Sequence, residues 1–390
     1  MVIVGCAYDP RAPTPEALLE RYHSLTDWAE AVAAAGPVSV AVVQRFSRAA
    51  TLRRRDIEYH FIADGQRPYP PSWFWGRQVA RAVRGLDPEV VHFDGLIFPA
   101  LVRHLGLRLG GRAAILVQDH GGAQQLSRIF GSPARRAFYR WGLAPARGFL
   151  FTAREQASPW QRAGIIRPRQ AIHQIPESST QLAAGHDGTP GAARLPGRPA
   201  LLWVGRLDAN KDPLTVLDGF ERATATLPEA ALTLVFQEDA LLARVKERIA
   251  ASAELRHRVH LRGRVERADL PPIYAGADLF VLGSHSEGSG YALIEALAFG
   301  VAPVVTDIPS FRVLTDGGRL GALFPPGDAA ALAGALDQVA RRDPAARRSA
   351  VRAYFQKELS WAACGRRALE IYRAAAAAAE GPAAITSSRR

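Results

Sequence analysis

Three stretches of this chain place charged or histidine side chains where apolar, strand-like runs end. The first is Val281 to Gly300, VLGSHSEGSGYALIEALAFG. Its apolar run closes at Leu282, a small polar loop follows from Gly283 to Gly290, and an apolar-periodic helix runs from Tyr291 to about Phe299. That order aims several backbone N–H groups and the positive end of a helix dipole at one spot, which suits a phosphate. Glu287 stands in the loop and Glu295 in the first turns of the helix. Eight residues apart, they cannot form one tight dyad, but they can hold two ends of an elongated ligand. The plainer reading is one exposed loop carboxylate and one helix-surface carboxylate.

The second stretch is Gly205 to Asp212, GRLDANKD, after the run ALLWV. Gly205 lets a ligand approach the backbone. Arg206 and Lys211 supply two cations that can neutralise a diphosphate without a bound metal. Asp212 and Pro213 read as the N-cap and first residue of a helix. Lys211 is one of three lysines in a chain with 46 arginines. The alternative is a turn whose charges are only solvated. The third stretch is Asp119-His120-Gly121-Gly122 after AAILVQ. At a strand's carboxyl end, His120 can hydrogen-bond a ligand hydroxyl or shuttle a proton near neutral pH; otherwise it is a loop histidine that caps the next turn. His92 ends another strand, and His60 reads as a packed strand residue.

Other chemistries lack their patterns. No GxGxxG follows a strand, and there is no Walker loop, GxSxG elbow or histidine–carboxylate cluster with metal spacing. Cys6 and Cys364 are the only cysteines and read as structural thiols. No apolar run reaches the ~18 residues that span a bilayer, and MVIVGCAYDP enters a strand with no basic leader segment. The expected location is cytoplasmic, with a peripheral place at the inner membrane surface left open.

The elements that would position these residues alternate. Strand-like runs at Val2–Tyr8, Val38–Phe46, Ile57–Ala63, Val90–Phe93, Ala113–Gln118, Gly148–Thr152 and Ala171–Ile175 are separated by helical segments such as Pro15–Ala35, Ser72–Arg84, Ile97–Leu105 and Pro133–Leu143. A second series, Ala200–Val204, Ala231–Phe236, Val259–Leu261, Leu279–Leu282 and Pro303–Thr306, follows a linker-like stretch from Gln181 to Arg198. Such alternation predicts α/β domains with parallel sheets covered on both faces, whose ligands bind beyond the strands' carboxyl ends. The net charge of +12 is uneven: residues 1–185 carry 23 arginines and no lysine against 14 acids. Arg77, Arg81 and Arg84 share one helical face. This points to an anionic or membrane-associated partner or to a merely solvated face. Nucleic acid is not expected, because no matching motif accompanies the charge.

GRLDANKDP and EGSGYALIEALAFG together resemble the retaining glycosyltransferases of family 4, which have the GT-B fold: two Rossmann-like, doubly wound domains facing across a cleft. The likeness continues through GVAPVVTDIPSFRVL and GALFPPGD to LSWAACGRRALEIY, and is weaker in the first half. It implies an N-terminal acceptor-side domain over 1–185, a donor-binding domain over 186–357, and a last helix, about 358–378, crossing back onto the first. By the resemblance, Arg206 and Lys211 would bind and stabilise the leaving diphosphate of a nucleotide-sugar donor, UDP- or GDP-linked. Gly288, Ser289, Gly290 and Tyr291 would hold the distal phosphate and sugar through backbone N–H groups. Glu287 would contact the sugar and Glu295 the ribose, Arg264 and Val265 would line the base pocket, and His120 would sit over the transferred sugar. No cofactor or metal is implied. Departures from the family pattern are YDPRAPTP after the first strand, FQEDAL after the second strand of the second domain, and IPESST. Alternatives on the same fold are a nucleotide-sugar epimerase and a catalytically inactive binding subunit.

Overall fold

Residues 1–6, 8–63, 72–120, 129–186 and 194–380 are described by the computed structural model. They separate into two units, Met1–Ser178 with the segment from Trp361 onward, and Ser179–Ser360. The sequence reading had set these divisions at 185/186 and 357/358. The chain changes units at Ser178/Ser179, and Leu182 and Ala183, inside the linker-like stretch, already pack against the core of the second unit.

In the first unit the described strands are β1 (Val2–Gly5), β2 (Ala41–Phe46), β3 (Ala50–Arg54), β4 (Ile57–Ala63), β5 (Val90–Asp94), β6 (Ala114–Gln118), β7 (Gly148–Phe151) and β8 (Ala171–Gln174). They form one sheet in the order β3-β4-β2-β1-β5-β6-β7-β8. All its pairings are parallel except β3 with β4. Strand periodicity sends alternate side chains to opposite faces, and here both faces are buried. Ile115 and Val117 of β6 join Phe149 and Phe151 of β7 on one face, under the Ser72–Gly85 and Pro99–Leu109 helices. Ala114, Leu116 and Leu150 face the other way, toward the His23–Ala34 helix and the C-terminal Trp361–Glu380 helix. These last two helices are joined where Trp28 Nε1–H donates to Tyr372 Oη at 3.0 Å. His92 lies in the same buried cluster, edge-on to both rings, and burial pulls its pKa down to about 4.

The second unit holds β9 (Ala200–Gly205), β10 (Ala231–Phe236), β11 (Val259–Gly263), β12 (Leu279–Leu282), β13 (Ala302–Thr306) and β14 (Ala322–Phe324). Their order is β11-β10-β9-β12-β13-β14, all parallel. The order reverses direction between β9 and β12, so the loops leaving those two strands open apart at a switch point where α/β sheets bind ligands.

Three element expectations need correction. The segment Pro15–Ala35 is two helices, Pro15–Arg21 and His23–Ala34, broken at Tyr22, whose φ of −105° and ψ of 50° are not helical. Strand β3 was not anticipated: it is an exposed edge bearing Arg53 and Arg54, turned into β4 by Arg55 and Asp56 at positive φ. Strand β14 was missed because three residues carry too short a pattern. Cys6 and Cys364 are buried and form no disulfide; burial pushes the Cys364 thiol up to about 12.

Candidate functional site

The two charged stretches of the second unit meet at the carboxyl ends of β9 and β12. Asn210 stitches them. Its side-chain amide donates to Ser286 O at 3.0 Å, while its Oδ1 accepts from Ser286 N at 3.1 Å and Ser286 Oγ at 2.9 Å. Its backbone carbonyl accepts from His285 N at 2.8 Å. Gly283 makes the approach feasible, since a Cβ there would lie 3.0 Å from Asp212 O. Asp212 caps the Pro213–Ala223 helix by accepting from Thr215 N at 3.2 Å and Thr215 Oγ1 at 2.7 Å. It also faces His285 Nε2 at 3.1 Å. The helix start read from the sequence is therefore also a loop–loop tie.

Within this seam Lys211 Nζ is ion-paired to Glu287 Oε1, and both side chains are mostly shielded, at 14% and 12% exposure. A Cβ at Gly205 would press on the Trp203 ring at 3.1 Å, with the Lys211 stem in ordinary contact at 3.6 Å. Arg206 turns elsewhere: its Nε meets Asp208 Oδ2 at 3.1 Å and the side chain is half exposed. The pair of cations expected together is thus one shielded lysine and one solvent-facing arginine on the same loop.

Gly288, Ser289 and Gly290 lead into the Tyr291–Ala298 helix. Gly290 is its N-cap at φ 64° and has no side chain with which to cap. A Cβ there would meet Leu314 at 3.0 Å and Phe311 at 3.1 Å, so both conformation and packing require glycine. A helix start without a side-chain cap offers backbone N–H groups and a positive dipole end.

Glu295 is not a surface carboxylate. It is 5% exposed, and accepts from Arg267 Nη1 at 2.9 Å and Tyr274 Oη at 2.8 Å. Burial beside that carboxylate pushes the Tyr274 hydroxyl well above its ordinary range. Arg267 comes from the segment after β11, so Glu295 ties that segment to the helix after β12. Arg264 lies in the same segment, exposed and paired with Glu266 at 3.1 Å. Val265 packs partly against the core. FQEDAL also contacts the loop after β9, with Leu207 N donating to Glu238 O at 2.9 Å and Leu241 N to Leu207 O at 2.8 Å.

His120 belongs to the first unit, where it follows β6; Gly121 and Gly122 lie outside the described residues. It is no turn cap. Nδ1–H donates to Glu177 Oε1 at 2.6 Å, and Nε2–H donates to Asp94 Oδ1. Burial pulls the imidazole down, but the two carboxylates more than offset it and hold its pKa well above the ordinary histidine value. Burial raises the Asp94 carboxyl, and the His120 charge outweighs that to leave it below its ordinary value. His120 is therefore an imidazolium with both N–H groups engaged.

Asn210, Arg267, Tyr274, Asp94 and Glu177 were given no role from sequence. Asp94 could have been found by the argument used for His120, since it ends the neighbouring strand and pairs in register with Gln118. Glu177 had only its place after β8 in IPESST to mark it. No group of three or more His, Cys, Asp or Glu side chains among the described residues could hold a metal ion.

Comparison with known proteins adds a family. Residues 192–356 match the family described as Glycosyl transferases group 1. Mannosylfructose-phosphate synthase of Agrobacterium fabrum is 42% identical over 113 residues, 27% of this chain and 25% of that protein. Phosphatidyl-myo-inositol mannosyltransferase of Mycobacterium tuberculosis is 32% identical over 209 residues, 49% of this chain and 52% of that protein. The chain thus spans about a quarter and about half of the length of these two curated relatives. Among solved structures, sucrose-phosphate synthase from Thermosynechococcus elongatus superposes with a TM-score of 0.64 at 20% identity, covering 97% of this chain and all of that one; at that identity the likeness speaks for the fold alone.

Proposed function

We propose that this chain, a GT-B protein whose residues 192–356 belong to the group 1 glycosyltransferase family, moves a sugar from a nucleoside-diphosphate sugar to an acceptor hydroxyl. The observation that carries the reading is the shielded Lys211–Glu287 pair beside an uncapped, glycine-started helix. A diphosphate at the helix mouth would take Lys211 as its counter-ion. Glu287, released from the lysine, would accept hydrogen bonds from the donor sugar. Arg206 would swing from Asp208 onto the phosphates, at little cost for a half-exposed side chain. Helix N-terminus and cations then act on the charge that develops on the departing diphosphate, which is where an oxocarbenium-like transition state needs stabilisation.

In the same reading Glu295, with two oxygens that can each accept more than one hydrogen bond, receives the ribose hydroxyls, and Arg264 and Val265 border the base, uridine or guanosine. His120 donates to the transferred sugar by giving up one of its two carboxylates. Transfer proceeds with retention by same-face attack, the leaving phosphate taking the acceptor's proton, since no carboxylate here is assigned as a nucleophile. The reaction needs no metal, and the acceptor is anionic or membrane-associated. A panel of UDP- and GDP-sugars, read by released nucleoside diphosphate with hydrolysis counted as signal, tests this. Lys211→Ala and Glu287→Ala should each lower turnover by roughly 100-fold or more while far-UV dichroism stays that of the parent. Near-parental rates in both variants would end the proposal.

A further inference from the structure

The first unit carries a cavity of about 870 Å³ at the amino-terminal ends of β6, β7 and β8. His120, Asp94 and Glu177 lie beyond the carboxyl ends of the same sheet, so roughly 15 Å of strand separates them from it. Arg103, Arg147, Arg167 and Arg169 line the cavity, with Leu107 and Trp141 among its apolar walls. None of these four arginines has a carboxylate partner among the described residues. Arg147 spends one N–H on Ala378 O at 3.0 Å, and Arg103 Nε is buried with no hydrogen-bond partner.

A groove of similar size in the second unit, about 920 Å³, is lined by Arg194, Arg198, Arg347, Arg348 and Arg352, and four of these are tied to the fold. Arg194 pairs with Asp278 at 3.0 Å. Arg347, Arg348 and Arg352 donate to the carbonyls of Val339, Phe299 and His186. Those four hold the fold; in the first unit Arg147 is likewise held by Ala378 O, while Arg103, Arg167 and Arg169 have no carboxylate partner among the described residues and are left for something else.

The rim is equally distinctive. Among the described residues, the exposed large hydrophobic side chains are Ile97, Leu107, Phe138 and Trp141. Leu107 and Trp141 line this cavity. Phe138 stacks on Trp141 with centroids 5.9 Å apart, and Arg103 lies over the Trp141 ring at 5.6 Å. The sequence from Gly95 to Arg154 holds nine arginines and a single acid, Asp119. Aromatic and leucine side chains around a basic hollow are the composition that seats at a lipid–water boundary.

We propose that this cavity is a docking site for an anionic lipid surface, with a lipid phosphate held by Arg103, Arg147, Arg167 and Arg169, and Leu107, Phe138 and Trp141 dipping among the acyl chains. Charge complementarity selects this occupant. A second copy of a chain of net charge +12 would be repelled. Guanidinium groups match phosphate oxygens with paired hydrogen bonds. The inference stands independently of the glycosyl-transfer reading, because lipid binding at this edge needs no donor.

Co-sedimentation of the full chain with vesicles tests it. The chain should bind phosphatidylcholine vesicles containing phosphatidylglycerol and not vesicles of phosphatidylcholine alone. Arg167→Ala/Arg169→Ala should raise the lipid concentration for half-binding roughly tenfold or more, at about fivefold per arginine near an anionic surface. Trp141→Ala should weaken binding several-fold, and the charge-matched Arg341→Ala/Arg342→Ala of the second unit should leave it near parental. Parental binding confined to neutral vesicles or absent, or equal losses in both double variants, overturns the site. If soluble glycerol phosphate binds as tightly as the vesicles and Trp141→Ala changes nothing, the cavity takes a free phosphate and the docking proposal fails.

Discussion

Glu177 shows how one side chain can change what its neighbour is. With Asp94 alone, His120 would keep one nitrogen for other partners; with Glu177 at 2.6 Å from Nδ1 it is a charged group with both donors used. Among the described residues, the titratable groups acting on this ring are Asp94, Glu177 and the buried His92, whose depressed pKa keeps it neutral near physiological pH. A histidine whose folded pKa is raised stabilises the fold below its unfolded value and loses that contribution as pH rises through the folded value. A carboxyl whose folded pKa is lowered, as at Asp94, contributes above its unfolded value and loses it as pH falls. Both contributions are therefore in place between the ordinary values of 3.8 and 6.5. Glu177→Gln should open a gap in melting temperature that is widest in that window and closes as pH rises past the folded pKa of His120. Calorimetry across a pH series measures it. A gap that stays constant into alkaline solution would mean that the carboxylate acts by packing and not by charge.

At the scale of elements, the sequence told more about what starts and stops than about what holds loops together. Strands buried on both faces read as uninterrupted apolar runs, which is why β6, β10 and β12 were found nearly to the residue, and Asp212-Pro213 marked its helix because cap chemistry is local. Strand β3 was illegible because an exposed edge needs no apolar alternation. Glu295 was legible as a functional candidate but not as a buried one, because Arg267 and Tyr274, 28 and 21 residues away, cannot be paired with it from spacing. Asn210 was hidden for the same reason: its partner Ser286 is 76 residues distant. Its three side-chain hydrogen bonds, worth about 1 kcal/mol each net, fix the loop after β12 on the loop after β9. Asn210→Ala should therefore speed amide exchange at Ser286 and raise the donor KM roughly tenfold through lost positioning, with the sheet core still protected. Unchanged exchange at Ser286 would show that Gly283 packing and the His285–Asp212 contact suffice.

For the whole molecule, the two sheets are not equally self-sufficient in sequence. The second unit is continuous from Ser179 to Ser360, and its core draws on residues within that span. The first unit needs the far end of the chain: Trp361, Cys364, Ala368 and Tyr372 fill one face of its sheet beside Trp28 and Val32. Tyr372 also supplies the hydroxyl that satisfies Trp28 Nε1–H and meets the buried His92. Ending the chain at Ser360 would uncover that apolar face and leave a buried indole N–H and imidazole without their partner, a loss comparable to the roughly 5–15 kcal/mol that separates folded from unfolded domains. Large cooperative units in one chain also melt separately when they lose coupling. The truncated protein should show the melting transition of the second unit alone, with Gly290 and Glu295 amides still slow to exchange and those of β1, β5 and β6 exchanging as in an unfolded chain. Two intact transitions after truncation would show that the first sheet is held by its own helices, and that the C-terminal helix covers a face which can stand exposed.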